Sequence, residues 1–342
     1  MNKISLCGLT VEEIFRIIQP EGFNYNHALA ITNAIYKKRI SDFSRILNVP
    51  KKLKVHLAEI AIPGYYGPIA SEISTDKTVK YLFRNPEGKQ FETVYIPDGK
   101  RNTVCISTQS GCRMGCPFCV TAKYGFHGNL SAGDIINQII SIPPDEKVTH
   151  VVFMGMGEPM DNLENVLKAT GIISAEWGMA ISPRNITVST VGILPAVRLF
   201  LEKSRCNLTL SLYSPFEDER ISVIPAEKKY PAVEIIEIMK EFLLKKKMRL
   251  SIAYVMIKNV NDTDRHLTGL KKMLADSGIR VNLLPYHPVK NDDNASSSDD
   301  KMHYFKHNLV ISGISASVRK SRGTDISAAC GLLATGLKHE LT

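Results

Sequence analysis

The sequence predicts an α/β protein: six β/α units forming a parallel sheet, preceded by a small N-terminal helical domain and a β-hairpin extension. Three observations carry this prediction. After about residue 100, short apolar strands alternate with segments long enough for crossover helices, the pattern of a parallel sheet. Before that point, apolar residues recur at helical spacing as far as about Ile60, and a Pro/Gly turn joins two strand-like runs between about 68 and 98. The chain has 342 residues with 44% hydrophobic content, enough for one large core or a large domain with a small appendage.

Taken in order, "LTVEEIFRII" opens the helical domain, residues 1–65, and Thr10 followed by Glu13 has the form of a capping box. "KTVKYLF", the turn "RNPEGK" and "QFETVYIP" read as a hairpin within a linking region, 66–100. The six strands are "TVCIST" (103–108), "VTHVVFMG" (148–155), "NITVST" (185–190), "NLTLSL" (207–212), "RLSIAYVMI" (249–257) and "RVNLLPY" (280–286), all within a core spanning 101–290. Segments such as "SAGDIINQII" and "PAVEIIEIMKEFLL" supply the crossover helices. The sheet is either an incomplete barrel or doubly wound, and in both the active site lies at the carboxyl ends of the strands. The motifs sit there: a cysteine loop after strand one, "GMGEP" after strand two, "STVG" after strand three and "SLYSP" after strand four. A C-terminal segment, 291–342, completes the chain, and "KNDDNASSSDD" (290–300) reads as a mobile loop.

The formal net charge is +9, which suits a polyanionic partner because lysines and arginines release condensed counterions from phosphates. One basic group holds Lys37, Lys38, Arg39, Arg45, Lys51, Lys52 and Lys54; a second holds Arg319, Lys320 and Arg322. These two are the expected RNA contacts. A third, Lys245, Lys246, Lys247 and Arg249, continues an amphipathic pattern and reads as the solvated end of a helix. There is no signal-peptide pattern and no apolar run of bilayer length, so a soluble cytoplasmic protein without membrane attachment is expected.

Seven cysteines, an odd number, do not form an extracellular disulfide framework. Cys112, Cys116 and Cys119 crowd on one loop in a Cys-x3-Cys-x2-Cys pattern. Iron-sulfur clusters are usually held by four thiolates, so three leave one iron open to a small molecule. The alternative is a zinc site with a fourth ligand from elsewhere, since structural zinc is closed and tetrahedral.

Pro117-Phe118 directly before the third cysteine makes the motif resemble the signature of radical S-adenosylmethionine (SAM) enzymes. "ETVYIPDGKRNTVCISTQSGC", "GFHGNL", "VVFMGMGEPMDNL", "ITVSTVGILPA", "YVMIKNVND" and "VRKSRGTDISAACG" extend the likeness across nearly the whole chain. Together they resemble the radical SAM RNA methyltransferases that methylate adenine, the RlmN/Cfr family, and the details of "GMGEP" and "VRKSRG" resemble its C2-methylating branch. The resemblance implies a partial (β/α)6 radical SAM barrel, a 4Fe-4S cluster on Cys112, Cys116 and Cys119, and SAM chelated by the open iron. It implies SAM contacts from Gly157, Glu158, Ser189, Ser211, Leu212, Tyr213 and His287; Gly155 and Gly157 would allow close backbone approach, and Glu158 would accept a hydrogen bond from the ligand's amino group.

Adenine C2 is electrophilic and carries no acidic proton, so simple delivery of a methyl cation does not serve. By the family's mechanism Cys330 first takes a methyl group from one SAM; a second SAM yields a radical that removes hydrogen from the S-methyl, and the methylene radical adds to adenine. Cys105 then resolves the protein-RNA adduct by a disulfide with Cys330, and Glu92 matches the candidate base. Without the resemblance Glu92 reads as a solvent-facing strand residue, Ser189 and Ser211 as turn caps, and Cys7 and Cys206 as small buried hydrophobes. The implied substrates are 23S rRNA and also tRNA; an electron donor of the flavodoxin or ferredoxin kind and a monomeric chain are expected.

The chain departs from the family pattern in three places. It has Ser211-Leu212-Tyr213 where Ser-Leu-His is usual, Tyr286-His287-Pro288 where Trp-Asn-Pro is usual, and Ala226-Glu227 where Ile-Asn is usual. A radical SAM enzyme with a different substrate or with C8 regiochemistry is therefore the alternative, and a zinc-stapled RNA-binding protein without catalysis is a weaker one.

Overall fold

The computed structural model describes residues 3–143, 146–288 and 292–334. Its N-terminal unit is closed by a short parallel pair, β1 (Ile4–Ser5) with β2 (Ala61–Ile62), and between them run α1 (Val11–Ile18), α2 (Tyr25–Tyr36) and α3 (Lys51–Ile60). The expected capping box is formed: the Thr10 hydroxyl accepts from the Glu13 N–H at 3.3 Å and the Glu13 carboxylate accepts from the Thr10 N–H at 2.8 Å.

The chain then enters one long sheet. The hairpin strands are β4 (Val79–Arg84) and β5 (Gln90–Ile96), and outside them lies β3 (Ala70–Ile73), which sequence reasoning missed. All four β3 residues are exposed, so this edge strand lacks the apolar alternation that marks a half-buried one. β5 pairs antiparallel with β6 (Thr103–Cys105), so the hairpin prolongs the central sheet. A small ladder, β7 (Gln109–Gly111) with β8 (Phe126–Asn129), brackets α4 (Val120–Tyr124) and the cysteine loop.

After α5 (Ala132–Ile140) the strands β9 (His150–Phe153), β10 (Ile186–Thr190), β11 (Asn207–Ser211), β12 (Leu250–Met256) and β13 (Arg280–Pro285) alternate with α6 (Leu163–Ser174), α7 (Leu194–Lys203), α8 (Glu217–Val223), α9 (Ala232–Lys245), α10 (Asp264–Leu274) and α11 (Asp299–Ile311). A seventh parallel strand, β14 (Ala316–Val318), follows α11. From β6 to β14 the parallel strands join in chain order with no reversal. Among the described residues there is no topological switch point, so right-handed crossovers lay the helices along one face. This decides for the incomplete barrel over the doubly wound sheet, and β3 and β14 remain its two edges.

The helical unit shares the barrel's core. Leu6, Ile14 and Ile31 are fully buried in the same cluster as Ile135, Val166 and Ile172, Lys168 pairs with Glu13 at 2.8 Å, and Arg39 donates to the Ile142 carbonyl. Arg39 is therefore spent on docking the unit, a correction to its expected RNA contact.

The Asp/Ser-rich stretch is also more ordered than a mobile loop; residues 290 and 291 lie outside the described residues. Ser296 bridges to Ile257, the Ser297 hydroxyl donates to Asp262 at 2.7 Å, and Ser298 caps α11. Among the described residues no helix is long and apolar enough to cross a membrane.

Candidate active site

A pocket opens at the carboxyl ends of the parallel strands, and the cysteine loop, "GMGEP", "STVG" and "SLYSP" all meet on its wall. The cysteine loop leaves β7 through Gly111, whose φ is +78° and whose Cβ, if added, would stand 1.6 Å from the Gly125 carbonyl oxygen. Only glycine fits there. The loop returns when the Cys112 N–H donates to the Gly125 carbonyl at 2.9 Å. Arg113 clasps Asp161 through two bonds of 2.7 and 2.6 Å, tying the loop to the "GMGEP" turn with bidentate geometry.

Cys112, Cys116 and Cys119 all line the pocket. Burial, each thiol's neighbours and Glu158 push Cys112 and Cys116 up to about 12. Buried, crowded thiols are hard to ionise unaided, and a bound metal centre would stabilise their thiolate forms. Among the described residues no three His, Cys, Asp or Glu side chains converge as they would on a single ion.

Glu158 follows β9 and is buried. Its carboxylate accepts from the Thr190 hydroxyl at 2.6 Å, the Val191 N–H at 2.9 Å and the Met160 N–H at 3.0 Å. Burial nonetheless raises it to about 7. A carboxylate offers about four lone-pair sites, so one is left unused on a residue that lines the pocket. Gly157, at φ +96°, would carry a Cβ 2.5 Å from the Gln109 Cβ. The close approach that requires glycine in this turn is thus to the chain's own segment, and only the backbone edge is presented to a ligand.

Ser189 and Ser211 end β10 and β11 with their hydroxyl oxygens 3.4 Å apart on the pocket wall. Tyr213 also lines the pocket, stacked on Phe118 at 6.4 Å and 10°. Its φ of +65° is unusual for an aromatic residue, and Asn261 secures the bend by donating to the Tyr213 carbonyl at 2.8 Å. His287 faces the same pocket and shares a 2.9 Å bond with the Ser321 hydroxyl; burial lowers its pKa. Leu212 is the exception among the predicted contacts. Just past the end of β11, its side chain is wholly buried and does not line the pocket.

Cys330 lies on the pocket wall, open to it but surrounded by protein closely enough that burial raises its thiol pKa. Its segment is held by the Val120 N–H, which donates to the Gly331 carbonyl at 3.0 Å, and by the Thr121 hydroxyl, which donates to the Leu333 carbonyl at 3.1 Å. The helix that starts at the third cysteine thus anchors the fourth. Cys105, on β6, is raised by burial and then by the nearby Cys330. All seven cysteines are free, so the expected disulfide is not formed in this state. Cys7 and Cys206 are buried, as expected.

Glu92 corrects the solvent-facing reading: it is 1% exposed. Its carboxylate accepts from the Ala334 N–H at 2.7 Å, and it is not among the residues lining the pocket. Sequence reasoning missed Thr190 and Val191, which orient Glu158, and Arg220. Nothing in "FEDERIS" distinguishes Arg220 from an exposed helix charge.

A family model for the radical SAM superfamily matches residues 106–268. The chain is 40% identical over 335 residues, 98% of each chain, to a "Probable dual-specificity RNA methyltransferase RlmN" of Parabacteroides distasonis. It is 36% identical to a "Dual-specificity RNA methyltransferase RlmN" of Geobacter sulfurreducens, covering 96% of this chain and 92% of that one. The crystal structure of a radical SAM methyltransferase from Sphaerobacter thermophilus superposes with a TM-score of 0.90 at 33% identity, covering 97% of this chain and 99% of that one. With likeness over nearly the full length of both chains, the chain belongs to the RlmN family of radical SAM RNA methyltransferases.

Proposed function

We propose that the chain methylates C2 of an adenine in 23S rRNA, and an adenine of tRNA as well, by way of a methyl group carried on Cys330. The observation that carries this reading is the single pocket wall shared by Cys112, Cys116, Cys119 and Cys330. Bound at the first three, a 4Fe-4S cluster together with SAM supplies the electron, the methyl group and the hydrogen abstraction. Glu158, Ser189, Ser211, Tyr213 and His287 would hold SAM, Glu158 through its remaining lone pair.

The rest falls to the chain's own sulfurs. Cys330 must lose its proton to attack the methyl carbon, since the thiolate is the nucleophile. The carbon then bridges the Cys330 sulfur and adenine C2. Once the C2 proton and one electron have left, the Cys105 thiolate bonds to the sulfur of Cys330, the carbon–sulfur bond breaks toward the nucleotide, and the released methylene carbon takes up a proton to become methyl. The product is methyladenine and a disulfide that an external reductant returns to two thiols. Glu92 acts here by fixing the Cys330 segment and is the candidate base for the C2 proton. An electron donor of the flavodoxin or ferredoxin class, a cytoplasmic setting and a monomeric chain complete the proposal.

Mass spectrometry of anaerobically reconstituted protein, with and without SAM, tests it. Wild type should gain one methyl group, mapped to Cys330, and Cys330→Ala none, with about four irons in each. Iron without methylation would overturn the Cys330 route. Loss of 2-methyladenosine from 23S rRNA in a deletion strain checks the substrate, and loss of 8-methyladenosine instead would move the chemistry to C8.

A further inference from the structure

Beneath the pocket, Arg220 of α8 is 1% exposed. Its Nε donates to the Leu212 carbonyl at 3.0 Å, and one terminal nitrogen donates to the carbonyls of Val191 at 2.6 Å and Ser211 at 3.1 Å. The other terminal nitrogen donates to Glu227, itself 3% exposed, whose carboxylate also accepts from the Ala232 N–H at 3.0 Å. The pair therefore pins the residues at and just past the ends of β10 and β11, of which Val191 and Ser211 line the pocket. The turn that carries Glu227 touches the cysteine loop: a Cβ on Gly115 would meet Pro225 at 3.9 Å, and Ile224 shares the pocket wall with Cys116. The Arg220–Glu227 pair is thus buried on the turn that packs against the cysteine loop.

An exposed charge here would be screened by water; a buried one is not. Reduction adds an electron to a cluster, and hydrogen bonds, net charge and burial set its potential. We propose that the Arg220–Glu227 pair sets the reduction potential of the cluster on Cys112, Cys116 and Cys119: Arg220 favours the reduced state, and Glu227 offsets that effect. This rests on the cluster assignment above. Glu227 stands where the family usually has asparagine, so the offset belongs to this chain.

Redox titration of the reconstituted protein without SAM, followed by electron paramagnetic resonance, tests the inference beside iron and sulfide analysis. Glu227→Gln should shift the potential to less negative values, and Glu227→Asn should shift it the same way, making the same charge change with the residue usual at this place. Glu227→Asp and the neutral double variant Arg220→Gln/Glu227→Gln should titrate near wild type. Fully loaded Glu227→Gln and Glu227→Asn with the wild-type potential would reduce the pair to a structural pin and overturn the inference. A wild-type chain that takes up no iron would instead overturn the cluster assignment, and this inference with it.

Discussion

Glu158 carries a cost that changes with pH. Its ordinary value of 4.5 is raised to about 7 by burial, so its protonated form is favoured in the folded chain. Below about 4.5 both states hold the proton and the contribution is complete; between there and about 7 only the folded state holds it, and stability falls as pH rises. The loss should approach about 3 kcal/mol, seen as a downward slope of unfolding free energy against pH in cluster-free protein, and Glu158→Gln should remove that slope. A second residue, Glu92, has two roles that substitution separates. Glu92→Gln keeps an oxygen for the Ala334 N–H but cannot act as a base, so Cys330 should load its methyl group normally while RNA methylation stops. Glu92→Leu leaves that N–H unpaired, costing roughly 1–3 kcal/mol, and methyl loading itself should fall. Equal RNA methylation by Glu92→Gln and wild type would remove the base role.

The cysteine loop is an element held from both ends. β7 and β8 close its base, Arg113 ties it to Asp161, and α4 carries its anchorage on to the Cys330 segment. Because an added Cβ at Gly111 would stand 1.6 Å from the Gly125 oxygen, Gly111→Ala should open this base. Iron content after reconstitution should drop several-fold while the far-ultraviolet circular dichroism of the barrel is kept; full iron loading would show that the ladder is dispensable. The motif and its glycines were legible in the sequence because the ligands are close in the chain. The anchorage of Cys330 by Val120 and Thr121 was not, since it joins residues more than two hundred positions apart.

Over the whole molecule, the basic charge is divided between scaffold and surface. Arg39 and Lys54 donate to backbone carbonyls, and Arg322 pairs with Asp98 at 3.1 Å, whereas Lys37, Lys38, Lys51 and Lys52 are exposed on the helical unit. Replacing these four by alanine should weaken RNA binding alike for different sequences and lower the slope of log affinity against log salt by roughly one for each phosphate no longer neutralised. Methyl loading of Cys330 should be unchanged. An unaltered salt slope in a filter-binding titration would place the RNA elsewhere.

The sequence by itself determined the six core strands, the hairpin, the capping box at Thr10 and the cysteine loop, because each is written in residues near one another: a period, a turn or a spacing. It also implied which side chains share the site, through the likeness in order along the chain. Only the tertiary structure decided that the sheet is an open barrel extended by β3 and β14, that Leu212 turns away, that Glu92 is buried and that Arg220 is buried and paired with Glu227. These depend on which face of a strand or helix meets which neighbour. Burial is a property of the packed whole, and a charge reads alike in the sequence whether water or the core surrounds it.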